Sequence, residues 1–497
     1  MRHRYLVLAF VATFVVALPG GTAAAKTASD TPTVTGPVTG GKGVPTLIST
    51  IFEPASVGYV YEEYFLEGTA TSYTPTKPFG PNGKWKVKAA DAAPYKTRIV
   101  VWRPESAKSF DGTVFVEWLN VSAGFDTGPD WLSAHNQILR SGAAYIGVSA
   151  QEVGVQGGQG LVASEPSGGL KLSDPERYGT LSHPGDVYSY DIFSQTGVVA
   201  RGKADLDPLG DLKVKRVIAT GESQSAFRMV TYVNAVHPLA GVFDGFLVHS
   251  RGASGASIGE SPARGEDDPS MPETAAIRSD TDVPVLTFQT ETDLTRLGYL
   301  PARQKDSKRF RLWEVAGTSH ADAYTAGVGF SDTGDGKAEQ TLLAPDVVGG
   351  GVLNCSAPIN TGPAFAVLNA GLDHLERWVR SGKAPPKSPR FEATSDPEPA
   401  LVRDEHGNVK GGIRTGPLDV PLATVDGESN EGGSFCGLFG NTKRFDAATI
   451  AQLYPSHDDY VTKFDAATDK AVKAGFLLED EATNYKNAAA AIDIGVP

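Results

Sequence analysis

Gly221-Glu222-Ser223-Gln224-Ser225 sets a serine between small residues, just where an apolar run containing Val214, Val217 and Ile218 gives way to a helical pattern. A serine at such a strand-to-helix turn is a candidate nucleophile. The tight turn forces strained backbone angles on it and lifts its Oγ clear of the sheet edge. Small neighbours are needed because larger side chains would collide with the adjacent strand and helix. Ser225 stands where glycine is usual. Taking Ser225 as the nucleophile would put Phe227 at that crowded position, so Ser223 is the reading. The bland alternative is a helix cap, with Ser223 as N-cap.

A serine nucleophile needs a base, and the base needs an orienting acid. Downstream, "GVFDGFLVHS" reads as a buried strand, "VPVLTFQTETD" as a second running into Glu291 and Asp293, and "FRLWEVAGTSHAD" as a third leading through Gly317 to His320. The acid and the histidine each fall just past a strand's C-terminal end, the rim where open parallel sheets bind ligands. Asp293 is favoured over Glu291 as the acid, because it lies in the turn itself; Glu291, nearer the strand, would hold the His320 loop or line the pocket. His249, at the end of a strand on the same rim, is the rival base, but no acid-bearing strand precedes it. His135 and His374 fall in helical patterns and read as structural. Asp126, Asp130 and His135 suggest a metal site only superficially; loop polarity and a helix cap explain them. No cysteine and histidine spacing fits zinc, and neither metal nor cofactor is expected.

An oxyanion hole completes the chemistry. One donor is expected to be the Gln224 N–H, and the second to come from the loop Asn120–Gly124 after the strand "TVFVEW", with Asn120 and Val121 as candidates. Asn120-Val121-Ser122 also matches a glycosylation sequon, which a position facing the site disfavours.

These residues require elements that bring them to one edge. Strands with continuous apolar character alternate with helices near 131–140 and 190–200, which predicts a mostly parallel sheet covered on both faces. "YVYEEYFLEGTATSY" and "KTRIVVWRP" form an antiparallel entry to it. Ala364, Val367, Leu368, Leu372, Leu375 and Val379 share one face of a helix that stops at Gly382. The polar segment 251–280 is too long for an ordinary connection and reads equally as a lid or a surface loop. The Gly-rich stretch near 157–169 lacks the Lys-Ser/Thr of a phosphate loop. A hairpin over Gly407 and short helices in the tail follow.

The chain has 497 residues and a formal net charge of −13, which argues against nucleic acid or an anionic membrane surface as partner. Residues 1–25 read as a secretory signal peptide: Arg2 and Arg4, then an apolar run too short for a confident span, then Ala23-Ala24-Ala25. Residues 26–45 read as a flexible or extended leader, 46–385 as the catalytic core and 386–497 as a C-terminal extension packed on it. Cys355 and Cys436 are the two cysteines, and export to an oxidising space predicts that they are disulfide-linked. The oligomeric state is not readable.

With these segments in place the chain resembles the secreted bacterial α/β-hydrolase-domain proteins from about Gly58 onward. The resemblance is carried by "VEWLNVSAG", "GESQSA", "QTETD", "VAGTSHAD", "CSAPIN", "GGIRTGPLDVP" and "LYPSHDDYV". It implies the α/β-hydrolase fold and esterase-like chemistry, with Ser223 as nucleophile and His320 as base, and no particular substrate. The expectation is an exported serine hydrolase of small-molecule or cell-envelope esters, extracellular or in the cell envelope. The alternatives are an acyltransferase using the same triad and a non-catalytic wall- or glycan-binding protein on the same fold.

Overall fold

The computed structural model describes residues 31–43, 49–161, 166–259, 270–343, 354–394, 399–433 and 435–496. Nine strands form one sheet in the order β1-β2-β3-β5-β4-β6-β7-β8-β9. They are β1 (Thr33–Thr35), β2 (Tyr59–Pro75), β3 (Val87–Pro104), β4 (Thr113–Trp118), β5 (Ala144–Val148), β6 (Arg216–Glu222), β7 (Gly245–His249), β8 (Val285–Gln289) and β9 (Phe310–Glu314). The pairs β1/β2, β2/β3 and β3/β5 are antiparallel. From β5 through β9 every pair is parallel. This is the α/β-hydrolase fold, with the antiparallel entry that the sequence predicts.

The parallel strands are covered on both faces, so they read as unbroken apolar runs rather than as alternations. Alternate side chains nevertheless enter two different cores. Val114, Val116, Val217, Ala219 and Val248 join one; Phe115, Ile218, Leu247 and Leu286 join the other. Two helices cover the second face, α1 (Pro129–Ser141) through Trp131, Leu132 and Ile138 and α5 (Ala364–Ser381) through Val367, Leu368 and Leu375. The first face carries α2 (Ser189–Ala200), with Ile192 and Phe193, and α3 (Gln224–Thr231), with Met229 and Val230. The short α4 (Glu291–Thr295) opens directly from β8. α5 ends where the sequence places its stop: Gly382 sits at φ 76°, and its N–H returns to Trp378 O.

The leader is extended in part, and the tail departs from expectation. Thr33–Thr35 of the leader forms β1, pairing with Phe65–Glu67, because Val34 has an apolar face of β2 to cover. The expected signal peptide lies outside the described residues. Two of the tail helices are long, not short: α6 (His457–Ala474) has 18 residues and α7 (Glu479–Ala491) has 13, and they pack through Tyr460, Phe464 and Tyr485, while Ala447–Leu453 is a short helix of 7. The sequence hides their length because few large apolar residues mark them.

The C-terminal extension is joined to the core. Arg403 and Val409 bridge across the Gly407 turn as expected, and Ile413 pairs with Val315 beyond the end of β9. Cys355 and Cys436 are disulfide-bonded, with Cα atoms 5.3 Å apart. The described residues of segment 251–280 are not among those that line the cavity beside Ser223. Arg251 is anchored to the carbonyls of Gly252, Ala253 and Ala275, which ties that stretch down beside β7. Residues 260–269 of the same segment lie outside the described residues. No described helix is long and apolar enough to cross a membrane.

Candidate active site

β6 ends at Glu222 and α3 begins at Gln224, which leaves Ser223 alone in the turn with φ 56° and ψ −120°. A non-glycine residue at positive φ is strained, and such strain persists only where the surroundings impose it. Here the Ser223 N–H donates to His249 O at 3.0 Å, while Ser223 O accepts from Ala226 N at 2.8 Å. Gly221 has no room for a side chain, since a Cβ there would lie 2.9 Å from Met229 Cγ and 3.0 Å from Ser225 O. The helix-cap reading falls away, because the Ser223 side chain makes no cap bond.

His320 Nε2 lies 2.7 Å from Ser223 Oγ, and His320 Nδ1 lies 2.7 Å from Asp293 Oδ1. Asp293 is wholly buried. Its second oxygen accepts the Thr290 N–H at 2.7 Å, which fixes the carboxylate in the first turn of α4. Thr292 steadies the other partner, since its Oγ1 accepts the His320 N–H at 3.0 Å.

Glu291 does not reach the histidine ring. It accepts the Gly317 N–H at 2.6 Å and the Gly427 N–H at 3.1 Å, and it meets Arg403 at 3.2 Å. It therefore ties the turn before His320 to the C-terminal extension. Burial pushes its carboxyl up to about 7 against the opposing pull of Arg403. Glu291, Asp426 and Glu428 bring their carboxylates together as a metal site would. Arg403 Nη2 bonds all three, at 3.2, 2.7 and 2.6 Å, so a guanidinium already supplies the positive charge.

The oxyanion candidates separate. Gln224 heads α3, where N–H groups lack intrahelical acceptors. Among the described residues the Val121 N–H has no backbone acceptor. Asn120, by contrast, is fully engaged: its N–H donates to Thr127 O at 2.9 Å, and its side-chain amide donates to Glu222 O at 3.1 Å. Asn120 is thus corrected from a donor to a brace that holds its loop against the serine turn. Its burial also stands against the sequon reading.

Ser223 and His320 open onto a cavity of about 250 Å³. Its walls are largely apolar and include Leu132, Phe227, Phe330, Phe435, Leu438 and Phe439. The last three come from the C-terminal extension, and sequence reasoning missed them. They are held in place by Ala321 N donating to Leu438 O at 3.0 Å, by Asn360 N donating to Phe439 O at 2.9 Å, and by the neighbouring Cys436 disulfide. The apolar residues flanking Cys436 were the available signal.

Two further ionisable groups face this cavity. Glu222 Oε1 lies 3.2 Å from His320 Nε2, and burial pushes the Glu222 carboxyl up to about 7. His249 Nδ1 lies 2.8 Å from Asp130 Oδ1. Burial disfavours the His249 imidazolium, but the Asp130 carboxylate outweighs it and raises the pKa. Sequence reasoning gave Asp130 only a capping role, because nothing in one dimension pairs it with a distant strand end. His135 and His374 are structural as expected, bonded to Asp332 O and Gly475 O, each at 2.8 Å.

The family described as "Alpha/beta hydrolase domain" matches residues 34–487. No curated protein matches the sequence. Among solved structures the chain is similar to a lidless α/β serine hydrolase of Xanthomonas campestris, at 13% identity and TM-score 0.26, over 50% of this chain and 86% of that one. A glucuronoyl esterase from Solibacter usitatus gives 10% identity and TM-score 0.27, over 52% and 76% of the two chains. The esterase Est22 gives 15% identity and TM-score 0.26, over 50% and 72%.

Proposed function

Since the chain belongs to the alpha/beta hydrolase domain family, we propose that it is a serine hydrolase of carboxylic esters, with Ser223 as nucleophile, His320 as base and Asp293 as orienting acid. The observation that carries this reading is the unbroken relay from Asp293 through His320 to Ser223, with both contacts at 2.7 Å. His320 takes the Ser223 proton as Oγ attacks the carbonyl carbon. The N–H groups of Gln224 and Val121 receive the developing oxyanion. His320 then returns the proton to the leaving alcohol, and a water deprotonated by His320 releases the acyl-enzyme. The Asp293 carboxylate stabilises the imidazolium at both stages.

The apolar walls favour esters with an apolar acyl or alcohol portion, because such groups gain free energy on leaving water. The disulfide supports action in an oxidising compartment, outside the cytosol. A panel of p-nitrophenyl esters of increasing acyl length tests the reading. The purified protein is expected to hydrolyse members of it, and Ser223→Ala to lose on the order of 10⁴-fold in kcat. Failure to turn over any ester, or full activity in Ser223→Ala, contradicts it.

A further inference from the structure

The cavity holds a second polar assembly, to which the ester mechanism assigns no step. Glu222 and His249 are register partners on the adjacent parallel strands β6 and β7, each at the strand's C-terminal end. Register partners on neighbouring strands direct their side chains to the same face. Both residues line the cavity that contains Ser223, and both are buried, 6% exposed in each case.

His249 is held from behind. Its Nδ1 meets Asp130, and its ring stands edge-on against Phe288 with centroids 5.0 Å apart. Asp130 sits in the first turn of α1, where Glu117 accepts the N–H groups of Asp130 and Trp131, both at 2.9 Å. Glu117 is in turn bonded by Tyr145 Oη at 2.7 Å. With Nδ1 committed to Asp130, the other ring nitrogen, Nε2, has no hydrogen-bond partner among the described residues. Glu222 is fixed at both ends, its Oε1 beside His320 and its Oε2 accepting from Asn120 Nδ2 at 3.3 Å. Such layered support is what a binding group requires and a casual core histidine does not.

Resting on the hydrolase reading above, we propose that His249 and Glu222 form a binding site for a hydroxyl group of the substrate close to the scissile ester, on its acyl or its alcohol portion. A hydroxyl both donates and accepts: facing the imidazolium it accepts from His249 Nε2–H and donates its one hydrogen to the Glu222 carboxylate, and facing the neutral ring it donates that hydrogen to Nε2 and accepts from the protonated Glu222 carboxyl. A carboxylate suits only the imidazolium and stands against Glu222 whenever that group is ionised. An unsubstituted chain leaves His249 Nε2 without a partner in a confined cavity, which is costly.

The test uses matched p-nitrophenyl acyl esters that are unsubstituted, 3-hydroxylated or terminated by a carboxylate. A parallel series of butyrate esters varies the alcohol as ethyl, 2-hydroxyethyl or carboxymethyl. In at least one series the full-length protein should favour the hydroxylated ester over the unsubstituted one by about tenfold in kcat/KM. His249→Phe should bring that ratio to about one, and Glu222→Gln should reduce it. A wild-type ratio near one in both series overturns the proposal without reference to any variant. Preference for the carboxylate ester overturns it too, as does a His249→Phe protein that keeps the ratio while losing activity on both esters. If no ester of either series is hydrolysed, the Ser223 reading fails with it; if they are hydrolysed at a ratio near one, only the hydroxyl site fails.

Discussion

Glu291 accepts the Gly317 N–H at 2.6 Å, whereas Asp293, from the same short helix, places Oδ1 2.7 Å from the His320 ring. Two carboxylates leave one strand end and take different tasks. One fixes the turn that delivers the histidine, and the other faces the histidine itself. Asp293→Asn should therefore lose orders of magnitude in kcat, because it keeps the shape but removes the charge that stabilises the imidazolium. Glu291→Gln should keep activity within about tenfold of the wild type, since the amide oxygen can still accept the Gly317 N–H. Steady-state kinetics on one ester decides the matter; a larger loss at Glu291 than at Asp293 reverses the assignment.

The Glu291 carboxyl also bears on stability. Burial raises its pKa from the usual carboxylate value to about 7. A carboxyl raised on folding contributes stability that is fully present below its unfolded pKa and is lost as the pH rises through its folded value. Between pH 4.5 and pH 7 this group should make stability fall with rising pH. Thermal melts of the wild type and Glu291→Gln at pH 5 and pH 8 check this: the variant should show the smaller decrease in Tm over that interval. An equal decrease in both proteins contradicts it.

Glu222 is placed to tune the pH–rate profile. Its Oε1 lies 3.2 Å from His320 Nε2, and a carboxylate there favours the charged imidazole. Since His320 must be neutral to accept the serine proton, Glu222→Gln should move the acid limb of kcat/KM to lower pH. An unchanged limb, or a shift to higher pH, contradicts this electrostatic role.

Much of this site was legible because its parts lie at strand ends. Continuous apolar runs mark the buried parallel strands, and Ser223, Asp293 and His320 each follow one of them. The turn glycines, Gly221 and Gly317, are likewise visible as residues that the backbone demands. What escaped depends on contacts between distant segments with no periodic signature. The pairing of Asp130 with His249 joins a helix start to a remote strand end. Phe435, Leu438 and Phe439 reach the cavity from a loop that carries neither helical nor strand patterning. Glu222 carries no assigned role in the sequence, because its meeting with His320 joins the end of β6 to the distant loop after β9.

The Cys355–Cys436 bond pins the loop that supplies those three wall residues. Thiol titration of denatured, unreduced protein should find no free thiol. The paired Cys355→Ser and Cys436→Ser replacement should lower stability by about 2–4 kcal/mol, by freeing the denatured chain. It should also raise KM for apolar esters more than it lowers kcat. Two free thiols in the native protein, or an unchanged KM, contradicts this account of the wall.

The most direct measurement of the central claim is labelling with a fluorophosphonate probe followed by peptide mapping. A serine activated by His320 and Asp293 should form a single covalent adduct at Ser223. Labelling should vanish in Ser223→Ala and be strongly slowed in Asp293→Asn. An adduct on Ser225 or on another serine, or no adduct on the folded protein, contradicts the assignment of Ser223 as nucleophile.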